Sequence, residues 1–335
     1  MIIEATAPTR IDLAGGAFDV YPLYLFEGGG VTVNMAITLL NSVKLETRED
    51  KEIHLQSIDL GVKEKAKDVD SLDLESELGF VARIVKFYRP KTGLNITTEN
   101  NIPKGSGLGT SSSLLIALSG VLNELNKTGI SLEQFIDYGA NIEAQSLKVP
   151  TGKQDYYAAV YGGVNAIWSE LKGCRLEKIP LEDEVIEKFN ERIILTFTGK
   201  PRFSGATNWS LVKGYIDDAG NTRKHLRGIK TTGLKMRECL LARDMDRFAE
   251  LLREEWENRK RCAEGVTTPH IDKIIAEAEK NGALASKLCG AGGGGCMITY
   301  VRKGDREKIK KVLESMGAKY MDCKIAKKGL TITTR

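Results

Sequence analysis

The residues best suited to chemistry lie in PKGSGLGTSSSLLIALSG, Pro103 to Gly120, where a glycine-rich turn runs through three serines into an apolar helix. Consecutive N–H groups in such a turn point into one concavity, and the following helix aims its unsatisfied N–H groups and the positive end of its dipole at the same place. Such a place favours phosphate. Gly105, Gly107 and Gly109 allow close backbone approach, with Lys104, Ser106 and Leu108 between and beside them. Thr110, Ser111 and Ser112 add hydroxyls for phosphate oxygens or a magnesium ion. No Lys-Ser/Thr follows the last glycine, so the loop is not of the Walker A type. The strand before it, NITTENNIP, is polar and ends in Pro103, which suits a dinucleotide fold poorly. Taken alone, the stretch also reads as a Gly/Ser turn that caps a helix.

Two other stretches accompany it. KLCGAGGGGCMITYV, Lys287 to Val301, sets four glycines directly before an apolar strand. APTRIDLAGGAFDVYPLY, residues 7–24, places Arg10 and Asp12 on one side of an expected strand, then turns at Gly15–Gly16 toward Asp19. Asp155 follows a Pro-Thr-Gly-Lys turn and precedes small and apolar residues, so its carboxylate is expected at a cleft, at the start of a helix. Glu143 lies twelve residues earlier, on the preceding helix. Lys104 and Lys153 are read as solvated turn lysines.

The elements that must position these groups follow from periodicity. Strands are expected at 31–37, 42–49 and 93–100, and apolar residues recur at helical spacing over 78–88 and 111–125. Ser131 and Gln134 form a capping box. Residues 162–180 read as strand, turn and strand, followed by the acidic stretch Leu181–Arg192. Beyond it come a strand at 192–199, a long helical section from about 207 to 280, a strand at 295–301, a helix at 304–316, and strands near 319–325 and 329–334. The expectation is an α+β protein of two domains, 1–185 and 186–335.

Composition narrows the function classes. The 335 residues carry a net charge of only +4, with 7% aromatics and no basic run interleaved with rings, so nucleic acid is not an expected partner. Six scattered cysteines without a CxxC pair point to free thiols in a reducing compartment rather than to disulfides or zinc. MIIEATAPTR lacks the basic and apolar regions of a signal peptide, and no apolar run approaches the roughly 20 residues of a membrane helix. A cytoplasmic protein without membrane partners is expected, its oligomeric state open between monomer and homodimer.

In order and separation, the three glycine-bearing stretches resemble the three signature motifs of the GHMP kinases, and the resemblance spans nearly the whole chain. It implies the two-domain fold of that superfamily, a ribosomal protein S5 domain 2-like N-terminal domain and a ferredoxin-like C-terminal domain. It implies an ATP- and Mg2+-dependent kinase whose phosphate loop is Lys104–Ser112, with Gly290, Ala291, Gly292, Gly293 and Gly294 as the third motif. Asp155 then matches the aspartate that approaches the acceptor hydroxyl, as base or orienting partner, and Arg10 the cation beside it. Glu143 resembles the glutamate that shares magnesium with a serine, here Ser111, with Ser112 one step away. Asp19 matches a sugar-binding aspartate, with Gly16 in the same turn, while Arg202 and Ser204 match a segment lining the sugar pocket.

Among GHMP kinases the chain most resembles sugar 1-kinases of the D-glycero-D-manno-heptose 7-phosphate kinase type, through LAGGAFDV, GKQDYYAAVYGGVNAI and TFTGKPRFSG. That implies a small-molecule sugar or sugar phosphate as acceptor, phosphorylated at the anomeric hydroxyl. Phe18 and Tyr156 depart from the Thr and Gln of those kinases, and an aromatic at either place would reshape the pocket or stack on a ring. Gly16, Ala17 and Phe18 replace the Glu-His-Thr of galactokinases, which argues against galactose. The alternatives are a GHMP kinase with a mevalonate- or homoserine-like acceptor, and a catalytically silent sensor of ATP and sugar. Retention of Arg10, Ser111, Glu143 and Asp155 together favours chemistry.

Overall fold

A computed structural model describes residues 1–148, 150–200 and 204–335, with side chains from residue 208 onward in the last span. Strand β1 (Ile2–Ala14) alternates half-buried and buried residues up to Ala7 and is buried throughout thereafter. One face is therefore covered near its start and both faces beyond. The first half continues through α1 (Leu23–Phe26), β2 (Gly30–Thr47), β3 (Ile53–Ser57), β4 (Val62–Ala66), α2 (Gly79–Tyr88) and β5 (Leu94–Glu99). Three helices follow, α3 (Thr110–Asn126), α4 (Leu132–Leu147) and α5 (Gln154–Tyr161), and then the hairpin of β6 (Val164–Glu170) and β7 (Gly173–Lys178).

The second half comprises α6 (Asp183–Arg192), β8 (Ile193–Phe197), α7 (Ser204–Asp217), α8 (Thr222–Ala242), α9 (Met245–Arg259) and α10 (Pro269–Lys280). It closes with β9 (Ala285–Leu288), β10 (Cys296–Tyr300), α11 (Arg306–Ser315), β11 (Lys319–Met321) and β12 (Thr331–Thr334). The capping box at the start of α4 is formed as expected, Ser131 accepting from the Gln134 N–H and the Gln134 side chain from that of Ser131.

The two strands expected over 31–37 and 42–49 are one continuous β2. Thr9 pairs with Ile37 while Pro8 pairs with Leu40, so the two residues between are accommodated as a register shift rather than a turn. This irregularity divides β2. Its first part pairs with β6 and its second with β5, while β1 runs antiparallel along both. The first sheet has the order β12-β1-β2-β5-β3-β4, with β6 and β7 attached through β2. The final strand crosses back from the second half, Thr331–Thr334 pairing with Thr6–Ile3. The second sheet is β11-β8-β10-β9, antiparallel throughout.

Two large apolar cores meet along β1. Ile3, Ala5 and Ala7 join the core formed with α2, α3, α4 and α5, including Leu115, Leu118, Val121 and Phe135. Ile11, Leu13 and Ala14 join another core, which runs between the sheets to Leu195, Met236, Leu240, Phe248 and Tyr300. Arg10 and Asp12 sit where β1 passes from one core to the other. Among the described residues, no helix is long and apolar enough to cross a membrane.

Candidate active site

The loop before α3 is built from backbone. Gly105, Gly107 and Gly109 have φ of 71°, 76° and 75°, a left-handed conformation open to glycine at low cost. Gly109 caps α3 without any side-chain hydrogen bond, leaving the N–H groups of the first turn for a ligand. A Cβ at Gly109 would lie 2.8 Å from Cγ of Asp155, so this glycine is needed for loop and carboxylate to approach each other. Leu108 is fully buried in the core between the sheets and anchors the loop. The loop is also held from both sides: the Arg10 N–H donates to Leu108 O at 3.0 Å, and the Cys296 N–H to Ser106 O at 2.6 Å.

Asp155 lies in the first turn of α5. Arg10 Nε donates to its Oδ1 at 2.7 Å, Nη2 lies 2.5 Å from the same oxygen, and Nη1 donates to Gly107 O at 2.6 Å. Arg10 is 4% exposed and Asp155 21%, so the pair opens to the cleft on the carboxylate side. Burial would weaken the charge on the Arg10 guanidinium, but the carboxylates of Asp155 and Asp12 hold it above its ordinary pKa. It stays a cation.

Asp19, buried in the turn after β1, accepts the Gln154 N–H on Oδ2 at 3.0 Å and so caps α5. Burial raises its pKa. A Cβ at Gly152 would fall 2.1 Å from Oδ2 of Asp19, which explains the glycine in Pro-Thr-Gly-Lys. Glu143 is buried, accepts from Ser112 Oγ at 2.9 Å and from the Tyr156 hydroxyl, and is pushed up to about 7 by burial.

Several expectations change. The hydroxyl bonded to Glu143 is Ser112 rather than Ser111; one helical residue turns Ser111 outward, where it is exposed at the cleft. Tyr156 neither lines the cleft nor faces a ring there: it is fully buried with its hydroxyl on Glu143. Phe18 is also buried, packed so closely on β2 that a Cβ at Gly30 would lie 2.7 Å from its ring. Lys153 is not a free turn lysine; its Nζ pairs with Asp137 at 2.6 Å.

One cleft gathers Arg10, Gly16, Asp19, Lys104–Gly107, Gly109–Ser112, Glu143, Asp155, Gly290 and Ala291. Gly292 and Gly293 lie elsewhere, against the backbone of Val266 and Gly265, and Gly294 does not line the cleft. Arg202 lies outside the described residues. Ser204 begins α7, its side chain outside what is described.

Sequence reasoning missed a buried charge network that reaches the cleft wall through Asp12 and Arg259. Lys287 Nζ lies 2.8 Å from Asp12 Oδ2 and 3.1 Å from Glu255 Oε2, and Arg259 pairs with Glu255 at 2.5 Å while donating to Gly16 O at 3.1 Å. Asp12 Oδ1 accepts the Gly290 N–H at 2.5 Å. Burial would raise the Asp12 carboxyl, but Lys287 first, then Arg259 and Arg10, hold it well below the usual carboxylate range. The missed signal lies in α9: Glu255 and Arg259 follow Phe248, Leu251 and Leu252 at helical spacing, charged residues on a buried stripe.

Comparison with known proteins bears on family and fold. The family model of the GHMP kinases N terminal domain matches residues 79–163, and that of the GHMP kinases C terminal matches residues 236–319. The chain is 27% identical over 334 residues to the D-glycero-alpha-D-manno-heptose 7-phosphate kinase of Campylobacter jejuni, covering 98% of each. It is 28% identical over 328 residues to the bifunctional fucokinase/GDP-fucose pyrophosphorylase of Arabidopsis thaliana, covering 92% of this chain and 30% of that one. A solved D-glycero-D-manno-heptose 1-phosphate kinase from Bacteroides thetaiotaomicron shares the fold with a TM-score of 0.81 at 24% identity, over 99% of both chains.

Proposed function

The chain belongs to the GHMP kinases, and on that premise we propose that it transfers the γ-phosphate of ATP to the anomeric C1 hydroxyl of a sugar or sugar phosphate. One observation carries this reading: Arg10 ties Asp155 to the phosphate loop, so an acceptor hydroxyl at that carboxylate lies beside the group to be transferred. The sugar kinases among the relatives support the acceptor class.

Phosphoryl transfer asks chiefly for positioning and for charge stabilisation. The N–H groups of Gly105–Ser112 cradle the phosphates. Arg10, a cation at the cleft, meets the charge that develops on the transferred group. Asp155 orients the acceptor hydroxyl and takes its proton as oxygen bonds to phosphorus and ADP departs. Asp19 holds further hydroxyls of the sugar, with Gly16 beside it.

Magnesium fits the oxygen groups at the start of α3. Glu143, buried against a hydroxyl and facing the cleft, offers a carboxylate of the kind that binds Mg2+ together with substrate phosphates. We assign the metal to Glu143 with Ser112, the hydroxyl bonded to it, in place of Ser111. Bound there, the cation would neutralise triphosphate charge. Cys174, Cys239, Cys262 and Cys323 are free thiols, which suits the cytoplasm we propose as its location. We keep 1–185 and 186–335 as the two domains, with β12 returned to the first.

The test is ADP release with Mg-ATP across free sugars, sugar phosphates, mevalonate and homoserine, followed by phosphorus NMR of the product. Phosphate at C1 of a sugar is the expected result. Turnover of mevalonate or homoserine alone would overturn the sugar reading, and ATP binding without turnover on any acceptor would favour a silent sensor.

A further inference from the structure

Asp19 is 2% exposed and Gln154 6%; both line the cleft, and among the described residues neither Asp19 Oδ1 nor Gln154 Oε1 has a hydrogen-bond partner. A buried polar atom without a partner costs on the order of 1–3 kcal/mol, so two together at one wall point to a ligand that supplies the missing donors. Asp19 Oδ2 accepts the Gln154 N–H at 3.0 Å, and Gln154 O accepts from Asn34 Nδ2 at 2.9 Å, so the Asp19 carboxylate and the Gln154 backbone are held at the cleft. Gln154 and Asp155 open the first turn of α5, and both line the cleft.

We propose that Gln154 is a specificity-determining residue, which with Asp19 reads a pair of hydroxyl groups on the acceptor adjacent to the one phosphorylated at Asp155. This rests on the reading of the protein as a sugar kinase and narrows it: the acceptor is a polyol that offers two hydroxyl donors on one edge. A mono-alcohol or a hydroxy acid would leave one of the two oxygens buried and unpaired. Sites built to bond a hydroxyl reject analogues that lack it far more strongly than apolar pockets reject a missing methylene.

The variants are Gln154→Leu, which removes the oxygen while leaving the backbone bonds intact, and Gln154→Glu, which keeps it. Each is assayed with Mg-ATP on the panel sugar that the wild type turns over fastest, and on the monodeoxy forms of that sugar. For Gln154→Leu the expected result is a rise in the sugar KM of at least about tenfold, with kcat and the KM for ATP changed by less than about threefold. One deoxy sugar that the wild type rejects about tenfold or more should be rejected less than threefold by Gln154→Leu, and Gln154→Glu should restore most of the discrimination. An unchanged KM, or equal losses on all deoxy forms, would overturn the role of Gln154 while leaving the sugar kinase reading standing. A wild type that turns over mevalonate or homoserine and no sugar would overturn both.

Discussion

Arg10 and Asp12 stand two residues apart on one strand, each in an ion pair, yet the two pairs do different work. Arg10 reaches a carboxylate that is 21% exposed, at the lip of a cleft. Asp12 reaches Lys287, and both are fully buried in a network that closes with Glu255 and Arg259. The first pair keeps one side toward solvent and ligand, as a group must if it is to meet an acceptor. The second is buried where β1, α9 and the loop after β9 converge, with Asp12 and Arg259 in the inner wall of the same cleft, and its carboxylate holds the Gly290 N–H. Exposure, more than residue type, separates the pair proposed for catalysis from the fully buried one.

The sharpest way to break this contrast is Asp155→Asn, for which turnover should fall about 10²–10⁴-fold. Urea unfolding should move by about 1–3 kcal/mol, because Arg10 is buried but an amide oxygen still accepts from it. If kcat stays near the wild-type value while stability drops, the pair is structural after all. Asp12→Asn should do the reverse. Taking one of the two carboxylates that hold the buried Lys287, with Glu255 left at 3.1 Å, should cost up to about 3–5 kcal/mol, read from the shift of the urea midpoint, with a much smaller change in the kcat of the folded fraction.

Removing both members sharpens the point. Asp12→Asn with Lys287→Met leaves the Glu255–Arg259 pair and an oxygen for the Gly290 N–H, so part of the stability lost in Asp12→Asn should return. A double variant less stable than the single one would show that Lys287 matters chiefly through Glu255. The acid limb supplies a smaller effect. Because Asp12 has a folded pKa below that of the unfolded chain, its contribution is complete above about pH 4 and is lost as pH falls further. The gap between wild type and Asp12→Asn in urea should therefore narrow below pH 4. A gap constant from pH 7 to pH 3 would assign the acid sensitivity elsewhere. The least effect is expected of Lys153→Ala, whose partner Asp137 is 62% exposed; melting should place it within about 0.5 kcal/mol of wild type.

Local chemistry explains what was legible beforehand. Glycines at 105, 107 and 109, hydroxyls after them and an apolar helix suit a phosphate loop because the backbone itself would form the site, and the two other glycine-bearing stretches set that reading above a plain helix cap. The capping box at Ser131 and the helical start at Asp155 are likewise settled within a few residues. The long β2 was misread as two strands because its irregularity lies opposite Pro8 and Thr9, on another strand. Ser111 and Ser112 could not be told apart without knowing which way α3 faces Glu143. Tyr156 was read as a pocket residue, although its neighbour Glu143 draws it into the interior.

The sequence by itself determined the loop, the helices and their caps, and the groups able to take part in phosphoryl transfer, since those depend on neighbours a few residues apart. Only the tertiary structure decided which charges meet: Arg10 with Asp155 across 145 residues and Lys287 with Asp12 across 275. It also decided which of those pairs is left open to a ligand. Burial and partnership are properties of contacts between distant segments, and no local pattern in a chain carries them.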